Sequence, residues 1–242
     1  LEMLAKAEQE NIETAFQRVE KLKPCPFGST GACCKHCAMG PCRINVKKPQ
    51  ESKGICGADV NTIAARNFAR MVAAGTAAHS DHCRDLAFTL LGVAEGEAPD
   101  YFVRDEGKLR EVAGHLGVPV EKREVKEITH DVAQKVVSEF GKQRGELIYV
   151  QRAPKPRQEI WRRLGIVPRG IDREVVEVLH RTHIGDDQDY EHILLGALRC
   201  ALADGWGGSM MATELTDILF GTPAPLETQA NLGVLSPDRV NI

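Results

Sequence analysis

Four cysteines stand in the ten residues from Cys33 to Cys42, and two of them, Cys33 and Cys34, are adjacent. Thiolates are the natural ligands of iron–sulfur clusters and of structural zinc. Neighbouring side chains diverge, so an adjacent pair rarely grips one small metal centre, and the doublet points to two. Six of the eight cysteines (Cys25, Cys33, Cys34, Cys37, Cys42 and Cys56) fall within 32 residues, while Cys83 and Cys200 lie apart. Cys34, Cys37, Cys42 and Cys56 could give one sulfur to each iron of a 4Fe–4S cubane. They would equally suit tetrahedral zinc, although zinc sites usually take two short, similar pairs. Here a C-x2-C pair is followed by Cys42 and Cys56 with thirteen residues between them, an asymmetry that fits a cluster loop better. Cys25 and Cys33 cannot complete a centre alone. A second copy of the chain across a two-fold axis would supply the missing two ligands. On that count Cys33 serves a shared cluster and Cys34 the chain's own. Cys83 and Cys200 read as small buried hydrophobes.

Other residues could do chemistry near such a centre. His79 and His82 stand three apart in a helical stretch and share a face, so they could relay protons near neutral pH; two ordinary core or surface histidines are the competing reading. His36, between cluster cysteines, could donate to a cluster sulfur or equally stand in solvent, and Arg43 could offset cluster charge or be an ordinary solvated arginine. His180 and His183 in "LHRTH" lack the glutamate of a zinc-protease motif and read as structural. Trp206 reads as a core anchor and "GWGG" as a turn.

The elements that must position these residues are mostly helices. Apolar spacing predicts an amphipathic helix over 2–22, ending before Pro24. The Cys-rich loop follows, broken by Pro and Gly. The Ala-rich, Pro-free run after Cys56 predicts one or two buried helices. Further helices are predicted over 105–116, 124–140, 157–164, 171–182 and 189–203, the last stopped by "DGWGG". Another helix is then capped by Ser209 or a nearby residue and stopped by Gly221. A strand is expected to open near Arg239–Ile242. The fold class is mainly α, divided as an N-terminal helix (1–23), a cluster-binding loop (24–57), a helical domain (58–230) and the start of an α/β domain (231–242).

Composition excludes some alternatives. The 242 residues carry 31 basic against 34 acidic side chains, a net charge of −3, which argues against a nucleic-acid binder. No apolar run reaches the roughly 18 residues of a membrane span. The charged opening does not read as a signal peptide. Clustered thiols in such a chain favour metal over disulfides and a cytoplasmic location. Leu1 in place of Met, and the ending "DRVNI", suggest a piece of a longer protein.

Two long stretches, "PCPFGSTGACCKHCAMGPCRI" with "KGICGADVNTIAARNFARMVAAGTAAHSDH", and "GDDQDYEHILLGALRCALADGWGGSMMATELTDILFGTPAPLETQANLGVLSPDRVNI", resemble the N-terminal part of anaerobic nickel–iron–sulfur carbon monoxide dehydrogenases. The resemblance covers nearly the whole chain. It implies a homodimer in which Cys25 and Cys33 of each copy hold a 4Fe–4S cluster on the dimer axis, and Cys34, Cys37, Cys42 and Cys56 hold a second within each subunit. It implies oxidation of carbon monoxide with water to carbon dioxide, two protons and two electrons, with a ferredoxin-like acceptor. The ligands of the nickel–iron–sulfur centre are expected beyond Ile242, and the 231–242 segment is expected to open a Rossmann-like domain. Whether an acetyl-CoA synthase is a partner is left open. The family tends to continue the "HSDH" histidines as a stripe; here the later positions are Asp85 and Phe88. Asp85 could hand on a proton and Phe88 could not, which marks a divergent member. The alternatives are a non-catalytic iron–sulfur electron-transfer protein and a hybrid-cluster-type relative, which lacks the axial pair.

Overall fold

The computed structural model describes residues 2–224. The strand expected near Arg239–Ile242 and the domain start at 231–242 lie outside the described residues. The chain opens with two short helices, α1 (Glu2–Gln9) and α2 (Ala15–Lys21), where one helix over 2–22 is predicted. The break falls at Asn11, whose φ of 54° lies in the left-handed region that Asn tolerates better than most residues. Thr14 restarts the helix through a capping box, its N–H donating to the Gln17 side chain at 2.7 Å. Neither helix buries a residue. The apolar face that predicts them, including Phe16, Val19 and Leu22, is exposed.

The Cys-rich loop holds one small ribbon. Strand β1 (Cys33–Cys34) pairs antiparallel with β2 (Cys42–Arg43), setting Cys33 opposite Arg43 and Cys34 opposite Cys42. Beneath it, Ala32, Ile44, Ala58 and Ile63 form a core of their own.

Asp59 then starts α3 (Val60–Glu95), a single 36-residue helix, accepting the Thr62 N–H at 2.9 Å; Gly96, with φ 82°, ends it. Besides Ile63 and Ala65 near its start, its buried positions Thr62, Arg66, Ala69, Ala73, Thr76, Ser80, Cys83, Ala87, Leu90 and Ala94 step alternately by four and three, which holds one seam along the helix. Most are small, so neighbouring helices approach closely. Against this axis pack α5 (Val125–Phe140), α7 (Ile171–Arg181), α8 (Tyr190–Ala203) and α9 (Met210–Phe220); α4 (Glu106–Leu116) packs on α5 and α9, and α6 (Lys155–Arg163) adds Trp161 to the core. A 3-10 turn at Ile148–Arg152 precedes α6. The main core joins Cys83, Ala87 and Leu90 of α3 to Leu109, Val112 and Leu116, to Ile128, Val132 and Val136, and to Leu215 and Ile218. A second joins Ala65, Ala69 and Ala73 to Val178 of α7 and Ile193 and Ala197 of α8. Cys83 and Cys200 are fully buried.

The segment "DGWGG" does not break the helix as predicted. Asp204–Ser209 is π-helical, and the chain stays helical from Tyr190 to Phe220. The glycines serve close packing here. A Cβ at Gly208 would stand 3.0 Å from Ser80 Cα, and one at Gly207 3.0 Å from Ile171 Cγ1. Ser209 is therefore no N-cap; its backbone is helical and its hydroxyl donates to Asp204 Oδ1 at 2.7 Å. Trp206, half-buried on this segment, packs against Trp161 with ring centroids 5.8 Å apart. Gly221 does end α9, with φ 96°. Among the described residues no helix is long and apolar enough to cross a membrane.

Candidate metal centre

Successive side chains of a strand point to opposite faces. The ribbon therefore separates Cys33 from Cys34 and sets Cys34 across from Cys42. The chain can close between these two because residue 40 is glycine: a Cβ there would lie 3.1 Å from both Cys34 O and Cys42 N. Gly54 backs the Cys42 side chain, where an added Cβ would sit 3.6 Å from Sγ, and the Ile55 N–H donates to that sulfur at 3.4 Å. Cys34 and Cys56 both pack on the small core formed by Ala32, Ile44, Ala58 and Ile63. These contacts gather Cys34, Cys42 and Cys56, with Cys37 in the turn whose carbonyl accepts the Gly40 N–H at 3.4 Å.

Cys25 and Cys33 fall elsewhere. Cys25 is exposed, and its thiol is lowered below the usual value, first by the Gly28 and Phe27 backbone N–H groups and then by the charges of Arg43 and Lys35. Arg43 stands opposite Cys33 and lies over the Phe27 ring, 5.4 Å from its centroid. It thus belongs to the side of the ribbon that faces outward.

Cys56 is held from several directions. Arg66 Nη1 donates to its sulfur at 3.4 Å and Gln188 Nε2 donates to its carbonyl at 2.9 Å. Burial pushes the thiol up, but Arg66 and the backbone donors of Ala58 and Gly185 outweigh it and bring it down to about 7. Arg66 is 1% exposed; its Nη2 donates to Asp187 O at 2.5 Å, and its Nε has no partner. A set of neighbouring thiols, a wall without a side chain at Gly54 and a buried cation with an orphaned N–H are the donor chemistry that an anionic 4Fe–4S group would take.

His36 is half-buried and bonds across to α3. Its Nε2 meets Asn67 Oδ1 at 2.8 Å, while Asn67 Nδ2 donates to Gly31 O and Cys33 O at 2.9 and 3.2 Å. Burial lowers the imidazole below its ordinary value. Asn67 thereby ties the loop to α3. The sequence reading passed over Arg66, Asn67, Asp187 and Gln188. The available signal was a charged residue at a buried position of an Ala-rich helix.

His79 and His82 are exposed on α3. His79 Nδ1 lies 2.9 Å from Asp204 Oδ2, and both histidines line a cavity of about 330 Å³ with Ser209, Thr213, Thr216 and Asp217. Asp85 and Phe88 are exposed on the same helix. His180 lies 3.5 Å from Asp186, a surface pair.

Residues 32–242 match the Prismane/CO dehydrogenase family. Carbon monoxide dehydrogenase 1 of Methanosarcina acetivorans is 53% identical over 99% of this chain, and carbon monoxide dehydrogenase 2 of Carboxydothermus hydrogenoformans is 44% identical over all of it. The chain spans 38% of the length of each of these relatives. The crystal structure of a nickel-free carbon monoxide dehydrogenase from Thermococcus sp. AM4 superposes with a TM-score of 0.85 at 50% identity, covering 93% of this chain and 36% of that one. An acetyl-CoA synthase/carbon monoxide dehydrogenase structure gives a TM-score of 0.85 at 40% identity, covering 93% of this chain and 34% of that one.

Proposed function

The chain belongs to the Prismane/CO dehydrogenase family, and from that premise we propose that it is the electron-relay and dimerisation portion of a carbon monoxide dehydrogenase. The reaction oxidises carbon monoxide with water to carbon dioxide, two protons and two electrons. The observation that carries the reading is the ribbon register: Cys34 opposite Cys42, with Cys33 turned to the other face. Cys34, Cys37, Cys42 and Cys56 hold a 4Fe–4S cluster within the chain. Cys25 and Cys33 hold half of a second on a two-fold axis, completed by the same pair of another copy. Bound there, the clusters would supply one-electron carriers. A ferredoxin-like acceptor takes the electrons.

The chain's own residues shape this path. Asn67 and Arg66 fix the loop on α3, and Gln188 closes over Cys56. His79, oriented by Asp204, and His82 hand on protons released by the reaction. The nickel centre is supplied by chain beyond this stretch.

Anaerobic purification with iron and sulfide counts, EPR of the reduced protein and sizing in solution tests the proposal. A dimer with about three 4Fe–4S clusters, two internal and one shared, is expected. A monomer that holds zinc in place of iron overturns it. In the complete protein, carbon monoxide-dependent viologen reduction is expected, and its loss in H79A with clusters intact tests the proton path.

A further inference from the structure

Arg66 is a fully charged side chain with almost no access to water, 1% exposed on the buried seam of α3. Burying a charge is unfavourable unless an opposite charge lies beside it. Yet among the described residues no carboxylate oxygen pairs with this guanidinium: its hydrogen bonds go to Cys56 Sγ at 3.4 Å and to the backbone carbonyl of Asp187 at 2.5 Å, and Nε has none. The Asp187 carboxylate turns instead toward Arg181, at 3.7 Å. The other buried charges of the protein behave differently. Glu174 is met by Arg169 and Arg199 at 2.8 and 3.1 Å, and Glu177 by four arginines. Arg66 stands out as a buried cation whose nearest anion-forming group is the Cys56 sulfur.

We infer that Arg66 is a positioning and tuning residue for the internal cluster, setting its reduction potential above that of the shared one. The inference rests on the proposed cluster reading. Reduction adds a negative charge to the cluster, and a fixed positive charge next to one of its sulfurs stabilises the reduced form. Hydrogen bonds to cluster sulfurs act in the same direction. Because Arg66 is shielded from solvent, its charge is little screened. Arg43, the cation opposite Cys33, is exposed and stacks on Phe27, so water weakens its effect on the shared cluster. The same charge type thus acts unequally on the two sites.

Redox titration followed by EPR, on anaerobically isolated dimer carrying R66Q or R66K, tests this. R66Q removes the charge while keeping a polar side chain, shorter than arginine by two atoms. At the wild-type midpoint of the internal cluster, the ratio of reduced to oxidised cluster is expected to fall about tenfold in R66Q, which is about 59 mV for a one-electron centre. R66K, which retains the charge, is expected to stay near wild type, and the shared cluster is expected not to move in either variant. An internal midpoint unchanged in R66Q with its iron retained overturns the inference. Should R66Q assemble no internal cluster, R66K decides. Assembly with a near-wild-type midpoint supports the role of charge, whereas loss of the cluster in both assigns Arg66 to packing alone. Absence of any 4Fe–4S signal from the wild-type protein would instead strike the proposed function itself.

Discussion

The cysteine loop and the helical body are held together by different means. Around α3, the body buries Leu, Ile, Val and Phe side chains from four helices in one continuous core. The loop between Cys25 and Cys56 has only Ala32 and Ile44 buried, in a small core shared with Ala58 and Ile63, together with two strands of two residues each and one short 3-10 turn. A segment of this length with so little apolar burial cannot offset the entropy of ordering its backbone. The difference teaches that the body is ordered by its own side chains, whereas the loop has a few tethers to α3 and, on the proposed reading, would take the rest of its order from bonds to metal.

Removing the metal should separate the two regions most sharply. After chelation, amides across residues 25–58 are expected to lose hydrogen-exchange protection while those of α3 to α9 keep theirs; a single cooperative loss over both would break the comparison. Within the loop, Cys34→Ala is expected to remove about four irons per chain, and Cys33→Ala about two, its half of a shared cluster. Equal metal loss in both would collapse the two-cluster reading of the doublet.

Thiol chemistry extends the contrast. The thiolate is the reactive form. Burial pushes Cys83 up to about 12 and Cys200 up to about 11, so both stay protonated and shielded at pH 8. Cys25 is exposed and lowered, so it reaches the thiolate at a lower pH than a free cysteine does. In metal-free protein, alkylation at pH 8 followed by mass spectrometry is expected to label Cys25 and Cys56, the latter lowered to about 7, and to spare Cys83 and Cys200. Rapid labelling of Cys83 would show that the body opens with the loop.

Smaller effects follow from packing. Leu90→Ala should cost the body about 2–5 kcal/mol, read by thermal or denaturant unfolding. Ile44→Ala in the metal-loaded protein should leave the body's transition where it is. Last, Thr14→Ala removes the capping box, worth about 0.5–2 kcal/mol to the local helix. Because α2 buries nothing within the chain, the loss should appear as fraying of α2 by NMR without a change in global stability.

Much of the body was legible in the sequence because its signals are local. The ranges predicted for the fourth and fifth helices match Glu106–Leu116 and Val125–Phe140 to within a residue at each end, since Asp105, Gly117 and the apolar spacing mark them directly. Asp189 in "GDDQD" does cap α8. Two misreadings have one cause: the same residue type serves unlike ends. Asn11 breaks a helix that apolar spacing carries through, and Gly207 and Gly208, read as a turn, let α3 and α7 come close. At the candidate site, cysteine spacing singles out six thiols, and the register of two short strands sets Cys33 and Cys34 on opposite faces. What spacing could not convey were contacts across the chain. Arg66 reaches Asp187 and Gln188 reaches Cys56, each more than a hundred residues away, and no local pattern announces them.

Helix α3 has one more consequence. At about 1.5 Å per residue its 36 residues span about 54 Å. Near its start it presents Arg66 and Asn67 to the cysteines, midway it presents His79 and His82, and further on it carries Leu90 in the main core. It is a ruler with an angular phase. One residue inserted between Asn67 and His79 would advance the far half by about 1.5 Å and turn it by about 100°. Loop and body could then no longer both meet their partners on the same rod. The spacing of electron site and histidine pair is set by counting along one uninterrupted turn sequence, with no interface between domains to adjust it.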